Sequence, residues 1–170
     1  FVVIGAGVQA ECFGTPTFVE VNMGPRYSNI GAAQALVRAG AKSIVVASPS
    51  TIAAYADGGA IKVAQRAGIP GRSIPVTLPV TDANTIVQQL YQAAGPGGGI
   101  ILDFTPDTAP ALMKAAEAQG LIDKVIWASS TPPNDPSVSA ALKKCCGTDW
   151  DGKFLINAEF NVLDSGKPDQ

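Results

Sequence analysis

The feature that most constrains this chain is a rhythm of short apolar runs and helical stretches. From residue 42 onward, runs rich in Ile and Val alternate with segments of about ten or more residues that carry helical spacing. The runs are Lys42–Ala47 (KSIVVA), Ser73–Val80 (SIPVTLPV), Ile100–Phe104 (IILDF), Lys124–Ala128 (KVIWA) and Lys153–Ala158 (KFLINA). The helical stretches between them end near Ala67, Ala94, Gln119 and Cys145, the first three directly before a glycine. Strands separated by helices require parallel crossovers, and a parallel sheet is covered on both faces. The expected fold is α/β, a doubly wound parallel sheet. Pro75 and Pro79 each remove a ladder donor, so the Ser73–Val80 strand is expected at an edge. Asp82 or Asn84 caps the helix 85–94, and Asp107 or Thr108 starts the following one. Upstream, Phe1–Ile4 and Thr17–Val21 read as strands. After a break at Gly24-Pro25, Ser28 or Asn29 caps a helix to about Arg38, with Ile30, Ala33, Leu36 and Val37 on one face.

Composition removes several function classes. With 170 residues, 46% of them hydrophobic, the chain can bury an ordinary core. Charged residues make up 15%, the net charge is -2 and no basic run occurs, so no nucleic acid partner is expected. The apolar runs are too short to insert in a bilayer. Because the sequence starts at Phe1 inside an apolar run, it is expected to be a piece of a longer protein. There is no histidine, which excludes Ser-His-Asp and Cys-His catalytic units and every His-containing zinc site within these residues. Cys12, Cys145 and Cys146 lack C-x-x-C spacing. Either Cys12 pairs with one of the vicinal cysteines or all three are free.

The first residues, FVVIGAGVQA, place Gly5, Gly7 and Ala10 as G-x-G-x-x-A after an apolar run. A dinucleotide turn needs a long helix directly after the last small residue. Here Gly14-Thr15-Pro16 follows within a few residues and opposes one. The acidic residue that should bind a ribose is also misplaced, since Glu20 lies inside the next strand candidate. No nicotinamide or flavin cofactor is therefore expected, and the glycines serve to carry the backbone away from the strand.

In open α/β sheets, ligands meet the loops at the strand carboxyl ends. That rule selects Ser48–Thr51, Phe104–Asp107 and Ser129–Thr131. Their hydroxyls, apolar surface and exposed N–H groups suit a small polar or carboxylate ligand, although Ser48, Ser50, Thr51 and Asp107 equally suit helix caps. Tyr55 can turn its hydroxyl to the same crevice or pack in the core. Asp103 stands at a strand end without a nucleophile or base beside it, so no catalytic residue and no metal site is expected.

The succession SNIGAAQALVRAGAKSIVVA, AYADGGAIKVAQRAG, GIILDFTPDTAPALMKAAEAQGL and KVIWASS resembles the second lobe of the type I periplasmic substrate-binding proteins, above all the branched-chain amino acid receptors of ABC transporters. The resemblance implies a flavodoxin-like lobe in a two-lobed receptor that closes on its ligand by hinge motion. Residues 1–26 would then be the end of the first lobe and a hinge crossover, 27–158 the second lobe, and 159–170 a second crossover and tail. Such a receptor is periplasmic or extracellular, hands a small solute to a membrane permease, and is not an enzyme. Carried over residue by residue, Tyr55 matches a cleft tyrosine, and Thr105, beside Phe104, stands where the family has a cleft aromatic. Ser130, next to Ser129, stands where amino acid receptors carry a carboxylate for the ligand ammonium. Ligand contacts are thus expected from Ser50, Tyr55, Phe104, Thr105, Ser129 and Ser130. Serine at 130 leaves the ammonium without its usual partner, and Asp103 or Asp107 could supply the charge. A sensory or regulatory domain of the same fold is the alternative role, with a nucleotide-dependent oxidoreductase third.

Overall fold

The computed structural model describes residues 3–5, 18–20, 24–129, 136–147, 150 and 152–156. Two short strands, β1 (Val3–Gly5) and β2 (Phe18–Glu20), pair in parallel with Val3 opposite Phe18. Helix α1 (Gly24–Arg38) leads into a strand-helix alternation: β3 (Ile44–Pro49), α2 (Ala53–Ala56), α3 (Gly58–Arg66), β4 (Gly71–Val76), α4 (Ala83–Ala94), β5 (Gly99–Leu102), α5 (Ala109–Ala118), β6 (Ile126–Ser129), α6 (Pro136–Cys146) and β7 (Phe154–Ile156). The last five strands form one parallel sheet in the order β4-β3-β5-β6-β7. This is the doubly wound architecture expected from the sequence, in the flavodoxin-like order 2-1-3-4-5.

Right-handed crossovers explain the layering. The chain steps from β3 out to the β4 edge, then returns past β3 to build β5, β6 and β7, so the connecting helices divide between the two faces. On one face Ala32, Ala33 and Leu36 of α1 and Ala60 and Ala64 of α3 pack on Ile44, Val46, Ile101 and Ala128. On the other, residues of α4, α5 and α6 such as Leu90, Leu112 and Leu142 pack on Val45, Ala47, Ile100, Leu102 and Trp127. Trp127 and Trp150 meet edge to face at 5.5 Å, and the Trp127 indole N–H donates to the Ile122 carbonyl at 3.1 Å.

Several boundaries differ from the expectations. Helix α1 starts five to six residues early, passing through Pro25, because a proline in the first turn gives up an N–H that has no helical partner anyway. Asn29 is consequently not a cap; it lies in the second turn, fully buried. The helix expected after Thr51 and up to about Ala67 is two pieces, α2 and α3, joined at buried Asp57 before Gly58-Gly59. Strand β4 ends at Val76 rather than Val80, so Pro75 lies in the strand and Pro79 beyond it. Among the described residues β4 pairs with β3 alone, the edge position expected for a strand that carries Pro75. Cys145 and Cys146 are bonded to each other at the end of α6, which replaces the alternatives of a bridge to Cys12 or three free thiols. Their adjacency brings the two sulfurs together without any long-range contact; Cys12 lies outside the described residues.

Candidate functional site

The strand order creates a crevice at one place. Between β3 and β5 the chain reverses its direction of growth, so the segment leaving β3 goes to one face and the segment leaving β5 goes to the other. Their separation opens the sheet's carboxyl edge to a ligand. Strand alternation decides which side chains arrive there. Ser48 continues the Ile44 and Val46 face of β3, and Asp103 continues the Ile101 face just beyond β5. Both therefore point to the α1 side, where the second turn of α1 presents Asn29.

These residues form a connected polar cluster. The Asn29 amide Nδ2 donates to Asp103 Oδ2 at 2.9 Å. The Ser48 hydroxyl donates to Asp57 Oδ1 at 2.5 Å and has Asp103 Oδ2 at 3.4 Å. The Ser73 hydroxyl, from β4, donates to the other Asp57 oxygen at 2.5 Å. Asn29, Ser48 and Asp57 are buried, while Asp103 is half-buried. Burial raises the Asp57 pKa, against the opposing effect of its two serine donors. Burial also raises that of Asp103, reinforced by the nearby Asp57 charge and opposed by Asn29 and Ser48. Among the described residues the ion pair present is Lys153 with Asp123, at 2.7 Å and exposed, so no such pair neutralises this cluster. The Asn29 Oδ1 is buried and accepts no hydrogen bond.

The residues selected from sequence distribute around this crevice. Ser50 is exposed in the turn after β3, with its N–H on the Val76 carbonyl at 2.8 Å. Tyr55 is half-buried on α2, two residues before Asp57. Thr105 is exposed after β5, and its hydroxyl engages exposed Asp107, holding that carboxyl below the ordinary value. Phe104 is buried among the large side chains under α4, α5 and α6, and Ser129 is buried with its hydroxyl on the Leu102 carbonyl at 2.5 Å. Ser130 lies outside the described residues, as does the G-x-G-x-x-A segment after Gly5. An open surface hollow of about 560 Å³ runs along Leu78, Pro79 and Val80 against Asp107, Thr108 and Ala111, on the other side of the sheet from Asn29. Among the described residues, no group of three or more His, Cys, Asp or Glu could hold a metal ion. No helix there is long and apolar enough to cross a membrane.

Sequence reasoning took Asn29 only as a candidate cap, passed over Asp57, and left Ser48 and Asp103 without partners. A signal was present. Asn29 stands at helical spacing with Ala32, Ala33 and Leu36, and Asp57 with Ala53, Ala60 and Ala64. A polar residue within an apolar stripe is buried when the helix docks, and a buried polar group must find a partner.

No family model and no curated protein matches this sequence. Solved structures do match its fold. A branched-chain amino acid ABC transporter protein from Thermus thermophilus, with bound valine, aligns with a TM-score of 0.69 at 14% identity, over 85% of this chain and 38% of that one. A solute-binding protein of an ABC transporter from R. palustris, in complex with 4-hydroxybenzoate, aligns at 0.67 with 18% identity, over 81% and 39%. A fatty acid ABC transporter substrate-binding protein from Thermomonospora curvata aligns at 0.59 with 17% identity, over 82% and 36%. The chain thus has the fold of a type I periplasmic-binding-protein lobe and spans well under half the length of these relatives.

Proposed function

We propose that this chain is the second, ligand-binding lobe of a solute-binding protein of an ABC importer. The observation that carries the reading is the β4-β3-β5-β6-β7 order with a polar cluster at its switch point, in a lobe whose structural neighbours include ABC solute-binding proteins. In this reading the protein is not an enzyme, needs no cofactor, works in the periplasm or outside the cell, and passes a small amino acid, amide or carboxylate to a membrane permease. β1 and β2 belong to the end of a first lobe and a hinge crossover, and residues 159–170 to the return crossover and tail. Ligand lies between two lobes. Ser50, Tyr55 and Thr105 offer hydroxyls from this side together with Ser130, while Phe104 and Ser129 brace the loops from behind.

Closure is driven by contacts that exist only when both lobes touch the ligand. Small-angle scattering on the full-length protein tests this, with amino acids, amides and small carboxylates added in turn. A compaction with at least one of them, accompanied by a thermal shift, is expected. Neither response from any of them overturns the proposal. Residues 1–170 alone should bind weakly in calorimetry, because half of the pocket is supplied by the other lobe.

A further inference from the structure

The crevice has a chemical bias that the fold does not dictate. The donors of the cluster are few. The single hydroxyl proton of Ser48 goes mainly to Asp57 at 2.5 Å and reaches Asp103 Oδ2 only as a long second branch at 3.4 Å. Ser73 commits its proton to the same Asp57. Asp103 receives the Asn29 Nδ2, and the carbonyl of that amide, fully buried, receives no donor. Among the described residues the buried Asn29 Oδ1 accepts no hydrogen bond, and the half-buried Asp103 carboxylate has no cation paired with it.

We propose that Asp103, held by Asn29 and backed by Ser48 at the β3/β5 switch point, is the seat of a cationic nitrogen, so that the solute carries a primary ammonium or an amidinium. The inference rests on the solute-binding reading and narrows it. A cationic nitrogen brings the charge and several donors at once, and a charged hydrogen bond to a carboxylate in a partly dry site is strong and directional. A purely anionic solute placed here would face two carboxylates without compensation. Asp103, from the end of β5, then supplies the charge that a serine at 130 does not carry. Asn29 is a positioning residue, since its amide fixes the carboxylate that touches the ligand.

Matched probes on the full-length protein test the assignment without any substitution. Calorimetry compares L-leucine with 4-methylpentanoate, 4-(aminomethyl)benzoate with 4-hydroxybenzoate, and benzamidine with benzamide. Binding confined to nitrogen-bearing cationic members is expected. Asp103→Asn, checked for folding by near-UV circular dichroism, should then weaken the preferred probe by about tenfold or more, because the charge is lost while the shape is kept. Should the variant not fold, the probe pairs still decide. Tight binding of the carboxylate or neutral members with the amines inert overturns the inference while leaving the solute-binding reading standing. A cationic preference that Asp103→Asn leaves intact also overturns the site. No response to any probe, together with no compaction in scattering by any solute, overturns both.

Discussion

The two faces of the five-stranded sheet are built from different materials. Under α4, α5 and α6 the core is made of large side chains: Leu90, Leu102, Phe104, Leu112, Met113, Leu142 and the Trp127–Trp150 pair. Under α1 and α3, six of the ten buried residues are alanine. Large residues bury more area, so the first face carries more of the hydrophobic stabilisation. Small residues allow close approach instead. A methyl group placed on Gly71 would sit 2.9 Å from the Ala64 Cβ, and one on Gly99 would sit 2.7 Å from Leu36. That proximity has a chemical consequence. The short side chains of Asn29, Ser48, Asp57, Ser73 and Asp103 can touch only if the helix, strand and junction carrying them lie close, and the alanine face brings them there.

The comparison is broken most severely by Trp127→Ala. This residue is fully buried on the large-residue face, stacked edge to face on Trp150 and hydrogen-bonded to the Ile122 carbonyl. Its truncation removes that contact area and leaves a cavity, with an expected loss of about 3–5 kcal/mol. Urea denaturation followed by circular dichroism gives the value. A loss below about 1 kcal/mol would mean that the two faces do not differ in the way described.

The opposite experiment on the other face is Ala64→Leu. Ala64 is fully buried where α3 meets β4, and the tightness at Gly71 leaves no room for three more carbons. Overpacking should cost about 1–3 kcal/mol and push α3 away from the sheet. It should loosen the Ser48 and Ser73 contacts to Asp57 and so weaken ligand binding from a position that does not touch the crevice. A variant that loses stability but retains full affinity would show that the cluster does not depend on the close approach of α3.

How far the sequence announced this arrangement differs in the same way between the two faces. Periodic Ile, Val and Leu runs specify strands and helices by themselves, so the architecture and the edge position of β4 were legible from residues 42–158. Local hydrogen bonds were legible too. Asp82 was expected as a cap, and it accepts the Thr85 N–H at 3.0 Å from three residues away. The Asn29–Asp103 bond spans 74 residues and the Ser48–Asp103 contact 55. Neither follows from spacing, since it depends on strand order and on the depth at which α1 settles. The start of α1 was misplaced for a related reason. Reading Pro25 as a break put Asn29 at the helix end; of the stripe drawn through Ile30, Ala33, Leu36 and Val37, Ala33 and Leu36 are buried, while Asn29 and Ala32 are buried and Ile30 and Val37 are only half-buried.

The finest test separates Asp103 from the exposed acids by the sign of a slope. Asp82 and Asp107 are exposed and have lowered pKa values, from hydrogen bonds with Thr85 and Thr105 respectively. They favour the folded state above their unfolded pKa and lose that contribution as the pH falls. Asp103 is raised from 3.8, by burial first and by the Asp57 charge next, so the folded protein holds its proton more tightly than the unfolded chain does. Its contribution is complete below the unfolded value and is lost as the pH rises through the raised one. Asp103→Asn removes only this group and relieves Asp57 of a neighbouring charge, while the exposed acids act equally in both proteins. The stability of the variant relative to the natural protein should therefore climb from about pH 4 upward and then level off, measured as urea midpoints across a pH series to about pH 7. A ligand with a cationic nitrogen should reverse the order at neutral pH, because it stabilises only the protein that keeps the carboxylate. A flat difference without ligand would mean that Asp103 titrates like a surface acid, and the contrast between the buried cluster and the exposed caps would then fail at its central residue.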